Sequence, residues 1–89
     1  MTYRVYLTKS ANKDVEKLKA AGLSEKAKRL LHIIAENPFQ NPPPYEKLRG
    51  ALDGYYSRRI NVKHRLVYQV KEETKEIIVI ALWSHYESL

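Results

Sequence analysis

Cysteine is absent from the chain, which removes disulfides, thiolate nucleophiles and every zinc site that needs sulfur. Histidine is scarce, with His32, His64 and His85 scattered too widely to suggest a metal site, so no metal and no cofactor is expected. Three glycines and four prolines in 89 residues are too few for a fibrous or low-complexity chain. No apolar run approaches the ~20 residues of a membrane span. The opening Met1-Thr2-Tyr3-Arg4 carries no secretory apolar segment. A cytoplasmic domain without membrane contact is the expectation. At this length it is one domain, 1–89, whose single modest core buries roughly 60–70% of the extended-chain surface.

Basic residues are abundant: 16 Lys+Arg stand against 10 Asp+Glu, a net charge of +6. The excess is uneven. Residues 1–37 hold eight basic and four acidic side chains, residues 38–70 six and two, and residues 71–89 two and four. Arginine concentrates in the middle segment, at Arg49, Arg58, Arg59 and Arg65. Its planar fork matches phosphate better than the point charge of lysine. An anionic partner is implied, although charge alone does not separate nucleic acid from an acidic protein or a solvated sheet surface.

Hydrophobic periodicity gives the outline. Residues 3–7 alternate as a strand with Val5 and Leu7 facing the core. Thr8 or Ser10 then caps a helix with Ala11, Val15 and Leu18 on its apolar face, and Gly22 stops it. Ser24 is the expected N-cap of a second helix with Leu23, Ala27, Leu30, Leu31 and Ile34 inward and His32 in solvent; Asn37-Pro38 ends it. Residues 38–45, rich in proline, read as a stiff extended connector pinned by Phe39. Three strands follow, over 55–60, 65–70 and 76–82, joined by turns short enough to pair them antiparallel. The fold class is α+β: an N-terminal strand, two helices and a three-strand antiparallel meander in one twisted sheet, with the helices on one face.

Period-two parity then sorts the strands. With Tyr56, Ile60, Leu66, Tyr68 and Val70 toward the helices, Tyr55, Ser57, Arg59, Arg65, Val67 and Gln69 face away. In the last strand Ile78, Ile80 and Leu82 are expected inside, with Ile77, Val79, Ala81, Trp83 and His85 outside. One bulge reverses such an assignment.

One acid, Glu46, stands among these arginines, and His85 lies near the end of the chain between Trp83 and Tyr86. A carboxylate, an arginine and an imidazole on one basic face suffice to cleave RNA: base, phosphate stabiliser and acid in turn. Tyr55, Trp83 and Tyr86 are candidates to stack unpaired bases. Each residue also has a plain structural reading, with Glu46 starting a strand, Arg65 a surface charge, His85 solvated and Trp83 partly packed. On composition and spacing alone the chain is a basic α+β domain, with RNA binding one option.

A longer pattern narrows this. Tyr45-Glu46-Lys47-Leu48-Arg49-Gly50-Ala51-Leu52-Asp53-Gly54-Tyr55-Tyr56-Ser57-Arg58-Arg59-Ile60, then His64-Arg65-Leu66-Val67-Tyr68 and Trp83-Ser84-His85-Tyr86, resembles the Txe/YoeB family of toxin–antitoxin toxins within the RelE-like group. The likeness spans most of residues 38–86. It implies an endoribonuclease that cuts messenger RNA in the A site of the 70S ribosome and so inhibits translation. Carried over by position, Glu46 is the general base, Arg65 the phosphate stabiliser and His85 the general acid. Tyr86, Arg59 and Arg49 adjoin the substrate. The resemblance also implies a cognate antitoxin of the YefM/Axe type with an acidic segment that folds on binding. Operator DNA bound through the antitoxin, and a homodimer, are further expected partners. Three departures stand out: Tyr55-Tyr56 for the usual Phe-Trp, the Pro42-Pro43-Pro44 run, and Glu87-Ser88-Leu89 beyond the usual terminal tyrosine. A non-catalytic basic RNA- or DNA-binding module, or a degenerate toxin homologue, is the alternative.

Overall fold

The computed structural model describes residues 2–83. Its element order is β1 (Arg4–Leu7), α1 (Lys9–Ala20), α2 (Ser24–Glu36), β2 (Tyr45–Lys47), a 3-10 turn (Gly50–Leu52), β3 (Tyr55–Arg59), β4 (Arg65–Lys71) and β5 (Glu76–Ala81). The strands form one sheet in the order β1-β5-β4-β3-β2. The expected class, α+β with both helices on one face, is what the chain adopts.

Local chemistry accounts for the helix ends. Thr8 caps α1, its hydroxyl accepting from the Ala11 N–H at 3.2 Å. Past the end of α1, Gly22 turns the chain at φ 72°, a conformation that costs glycine little. Ser24 does not cap α2: Leu23 takes the cap position, and the buried Ser24 hydroxyl has no partner among the described residues. Ala27, Leu30 and Ile34 of α2 are buried against the sheet, while His32 is exposed as its position on the polar side requires. The main core joins Ala11 and Leu18 of α1 and these α2 residues to Leu66, Tyr68, Ile77 and Val79 of the sheet. A smaller cluster, Leu48, Val67 and Ala81 with Leu52, Tyr55 and Ile80 against it, lies on the other face.

Four expectations are corrected. The sheet has a fifth strand: Tyr45–Lys47 pairs antiparallel with β3, placing Glu46 opposite Ser57. The sheet is mixed, because β1 runs parallel to β5 after the helical crossover. The connector bends through residues 38–43 instead of running extended, and Phe39 packs on Tyr45 and Tyr56 with ring centroids 5.9 and 5.1 Å away. Finally, Ile77 and Val79 face the helices and Ile78 does not. The β4–β5 register slips between Val67 and Tyr68, whose partners are Ala81 and Val79, so Ile80 is the extra residue of a bulge. Leu82 returns to the main core, and Trp83 packs against it rather than facing away.

Arg58 stands apart from the other arginines of the middle segment. It is 1% exposed. Its guanidinium donates to the carbonyls of Pro38 at 3.0 Å, Gln40 at 2.9 Å and Pro43 at 2.6 Å, and its Nε to the Tyr68 hydroxyl at 3.1 Å. Tyr68 donates in turn to Pro38 O at 2.7 Å. A proline-rich segment offers carbonyls and few N–H groups, and a five-donor guanidinium is the matching counterpart. This cation therefore ties the connector to the sheet.

Candidate active site

The helix-free face of β3 and β4 presents side chains two residues apart. Ser57 and Arg59 project from β3, Arg65 from β4, and Glu46 stands beside Ser57 as its direct partner on β2. With Pro44 and Tyr45 they line an open cleft of about 380 Å³. The cleft thus brings together three residues singled out from the sequence, Glu46, Arg59 and Arg65, although Glu46 is about twenty residues from Arg65 in the chain.

The charges in the cleft are held ready rather than consumed. Among the described residues, ion pairs within 4 Å join Lys17 to Asp14, Lys19 to Glu16 and Lys75 to Glu72; none involves Glu46, Arg59 or Arg65. Arg59 and Arg65 are directly opposed across the β3–β4 ladder. Such like-charge pairs weaken a sheet, and Arg65 is steadied by donating to the carbonyls of Asn61 and Val62, each at 3.3 Å. Two guanidinium groups facing one carboxylate across an open cleft fit a phosphodiester next to a hydroxyl that must lose its proton.

Other residues of interest lie apart from this cleft. Arg49 is exposed ahead of the 3-10 turn, and Tyr55 is half-buried on the same sheet face, packed into the smaller cluster. Trp83 is half-buried with one face stacked on the His64 imidazole, centroids 3.7 Å apart and planes 19° from parallel. His85 and Tyr86 lie outside the described residues.

Ser57 escaped the sequence reading as a site residue. It is only 3% exposed, yet it lines the cleft between Glu46 and the two arginines, and its hydroxyl has no hydrogen bond among the described residues. Its parity with Arg59 was legible. The position of β2, which sets Glu46 against it, was not.

Fold and cleft together describe a small basic α+β protein of the RelE-like toxin kind. Residues 7–86 match the family described as the YoeB-like toxin of bacterial type II toxin–antitoxin systems. Toxin YoeB of Synechocystis sp. is 40% identical over 58 residues, which is 65% of this chain and 65% of that protein. The solved YoeB/ParE toxin from Agrobacterium tumefaciens superposes with a TM-score of 0.84 at 33% identity, covering 93% of this chain and 99% of that one. The YoeB–YefM complex from Staphylococcus aureus gives 0.79 at 31% identity, covering 97% and 100%. The chain belongs to the YoeB-like toxins of bacterial type II toxin–antitoxin systems.

Proposed function

We propose that this toxin is a messenger RNA endoribonuclease that acts in the A site of the translating 70S ribosome and stops translation by general acid–base catalysis without a metal. The observation that carries the reading is the convergence of Glu46, Arg59 and Arg65 on one open cleft, with Glu46 free of ion pairs among the described residues.

In this mechanism the Glu46 carboxylate accepts the proton of a ribose 2′-hydroxyl. The 2′-oxygen attacks the adjacent phosphorus, the bond from phosphorus to the 5′-oxygen breaks, and the His85 imidazolium returns a proton to that leaving oxygen. Arg65, with Arg59 beside it, compensates the charge that builds on the non-bridging oxygens. The products are a 2′,3′-cyclic phosphate end, which water then opens to a 3′-phosphate, and a 5′-hydroxyl. Arg49, Tyr55, Trp83 and Tyr86 serve the substrate around this centre through phosphate contacts or base stacking.

The partner is an antitoxin of the YefM kind, in line with the S. aureus YoeB–YefM complex, and an acidic segment of it neutralises the basic cleft. Operator DNA is reached through that antitoxin. A YoeB dimer is also known from S. aureus, and self-association follows by analogy. The site of action is the cytoplasm; no helix among the described residues is long and apolar enough to cross a membrane.

Primer extension on ribosome-bound message tests the reading. Discrete A-site cuts by the wild-type toxin, abolished in Glu46→Gln, Arg65→Ala and His85→Ala variants that still fold, are the expected result. Cuts of undiminished strength in all three variants would refute the roles. Arrest of ribosomes without any cut would favour a non-catalytic binder.

A further inference from the structure

Arg59 belongs to two hollows. Besides the cleft it shares with Arg65, it lines a second pocket of about 300 Å³ between the end of β3 and α2. The β2–β3 ladder leaves this end of β3 open. It stops at Tyr45 and Arg58, and the next residue on the β2 side is Pro44, which has no N–H to continue it. Arg59 is thus the partition between cleft and pocket, and no ion pair among the described residues holds it to either side.

The rest of the wall comes from one flank of α2. Lys26, Arg29, Leu30 and Ile33 stand three and four residues apart, and Ile60 closes the pocket from the sheet. Leu30 and Ile60 are buried members of the main core. Ile33 is different: it is half-buried, joins neither hydrophobic cluster, and stands beside cations. Lys26 and Arg29 are exposed and, like Arg59, take part in no ion pair among the described residues. The lining discriminates between ligands. Its polar side chains only donate, since lysine and arginine accept nothing, and it has no aromatic face. A nucleobase carries donors as well as acceptors and is held largely by stacking, so it is poorly matched here. A carboxylate only accepts, and an aliphatic side chain fits against Leu30, Ile33 and Ile60. An acidic peptide with one such side chain complements both parts of the wall.

We propose that this second pocket anchors an acidic segment of the antitoxin through an aliphatic side chain, and that the anchored carboxylates draw Arg59 out of the cleft. The inference rests on the proposed partner and on the proposed phosphate role of Arg59. Inhibition by this route needs no contact with Glu46 or Arg65. The segment seats beside α2 and removes one of the two guanidinium groups that face the phosphate, leaving Arg65 to hold it alone.

The probe is a fluorescent synthetic peptide with a leucine set among glutamates, and its control is the same peptide with glycine in place of the leucine. Anisotropy titrations use the full-length toxin, and cleavage of ribosome-bound message is followed in parallel. The leucine peptide is expected to bind wild type about tenfold more tightly than the glycine peptide, and Ile33→Ser removes that preference. Arg29→Gln weakens the leucine peptide about tenfold, whereas Lys13→Gln, the same loss of charge on α1, weakens it less than about twofold. Without peptide, Ile33→Ser and Arg29→Gln cut message at the wild-type rate. Saturating peptide slows the wild type but not the residual cleavage by Arg59→Thr. Thermal melts of each variant confirm that folded protein is compared.

Equal binding of the two peptides, or equal effects of Arg29→Gln and Lys13→Gln, reduces the pocket to unspecific charge and overturns the anchor. Slower cleavage by Ile33→Ser and Arg29→Gln with unaltered peptide binding makes the pocket an RNA contact and overturns it likewise. Full inhibition of Arg59→Thr overturns the route through Arg59. A wild-type toxin that binds the leucine peptide through Ile33 yet cuts no message refutes the ribonuclease reading and upholds the anchor.

Discussion

Arg59 and Arg65 occupy directly opposed positions on neighbouring strands, on the sheet face away from the helices. Folding alone does not favour that arrangement, since like charges in register across a ladder repel. It does favour an anion between them. The pair therefore fits the proposed phosphate role better than a purely structural one.

One expected outcome concerns that conflict. Replacing Arg59 with threonine removes the repulsion and places a β-branched residue on the strand. The variant is expected to be more stable than wild type, by about 0.2–1 kcal/mol, while cleaving ribosome-bound message more slowly. Urea unfolding paired with a cleavage assay reads both effects; a less stable variant would show that the opposed arginines do not oppose folding.

Ser57 supplies a second outcome. Its hydroxyl adjoins Glu46 and the arginines with no hydrogen bond among the described residues. We expect it to bond the ribose or phosphate of bound RNA. Ser57→Ala should then weaken cleavage about tenfold, the worth of one hydrogen bond to a charged group, with stability within about 1 kcal/mol of wild type. Unchanged cleavage would make the hydroxyl a bystander.

The pH dependence of stability turns on Tyr68. Burial pushes its phenol above the ordinary tyrosine value of 10.0, and the Arg58 charge and hydrogen bond offset only part of that. Below pH 10 the phenol is neutral in both folded and unfolded chains, and its contribution is fully present. As the pH rises past 10, the unfolded phenol ionises before the folded one, so the unfolded state gains and stability falls. In that window the loss attributable to this group approaches about 1.4 kcal/mol per pH unit. Urea midpoints measured from pH 8 to 11 should fall more gently for Tyr68→Phe than for wild type, and parallel curves would assign the alkaline loss elsewhere.

Much of this fold is legible in the chain because its elements follow strong local signals. The stripe of Ala27, Leu30 and Ile34, the Thr8 cap and the parity of Leu66 and Tyr68 all announce themselves at short range. The features that were not legible depend on long-range pairing. Three residues, Tyr45–Lys47, are too few to show an alternation, and they become a strand only because β3 lies beside them. The run from Ile77 to Leu82 is apolar on both faces, so its phase is set by the bulge at Ile80 and by no local pattern. Arg58 and Arg59 are adjacent in sequence and alike in chemistry, yet one is sealed under the proline-rich connector and the other opens into the cleft. Strand alternation separates them, and the carbonyls of Pro38, Gln40 and Pro43 decide which is buried. Within the site, parity placed Arg59 and Arg65 on one face, whereas the approach of Glu46 depended on the pairing of its short strand with β3, which no local pattern announces.

The brevity of β2 has a consequence for where this protein is fragile. It is an edge strand, bonded to one neighbour over three residues, and the segment leading into it is held by the Arg58 guanidinium, the Tyr68 hydroxyl and the packing of Phe39. Such a segment detaches at a free-energy cost well below that of global unfolding. Glu46 thus sits on a short edge strand, tied down in part by Arg58, while Arg59 and Arg65 belong to strands nearer the interior. Amide hydrogen exchange at Tyr45–Lys47 is therefore expected to outpace that of β4 and to quicken further in Arg58→Lys; equal protection of both strands would refute this. On warming, the Glu46 carboxylate is expected to part from the arginine face before the molecule melts, so the hold on the proline-rich connector bears on the cleft as directly as the core does.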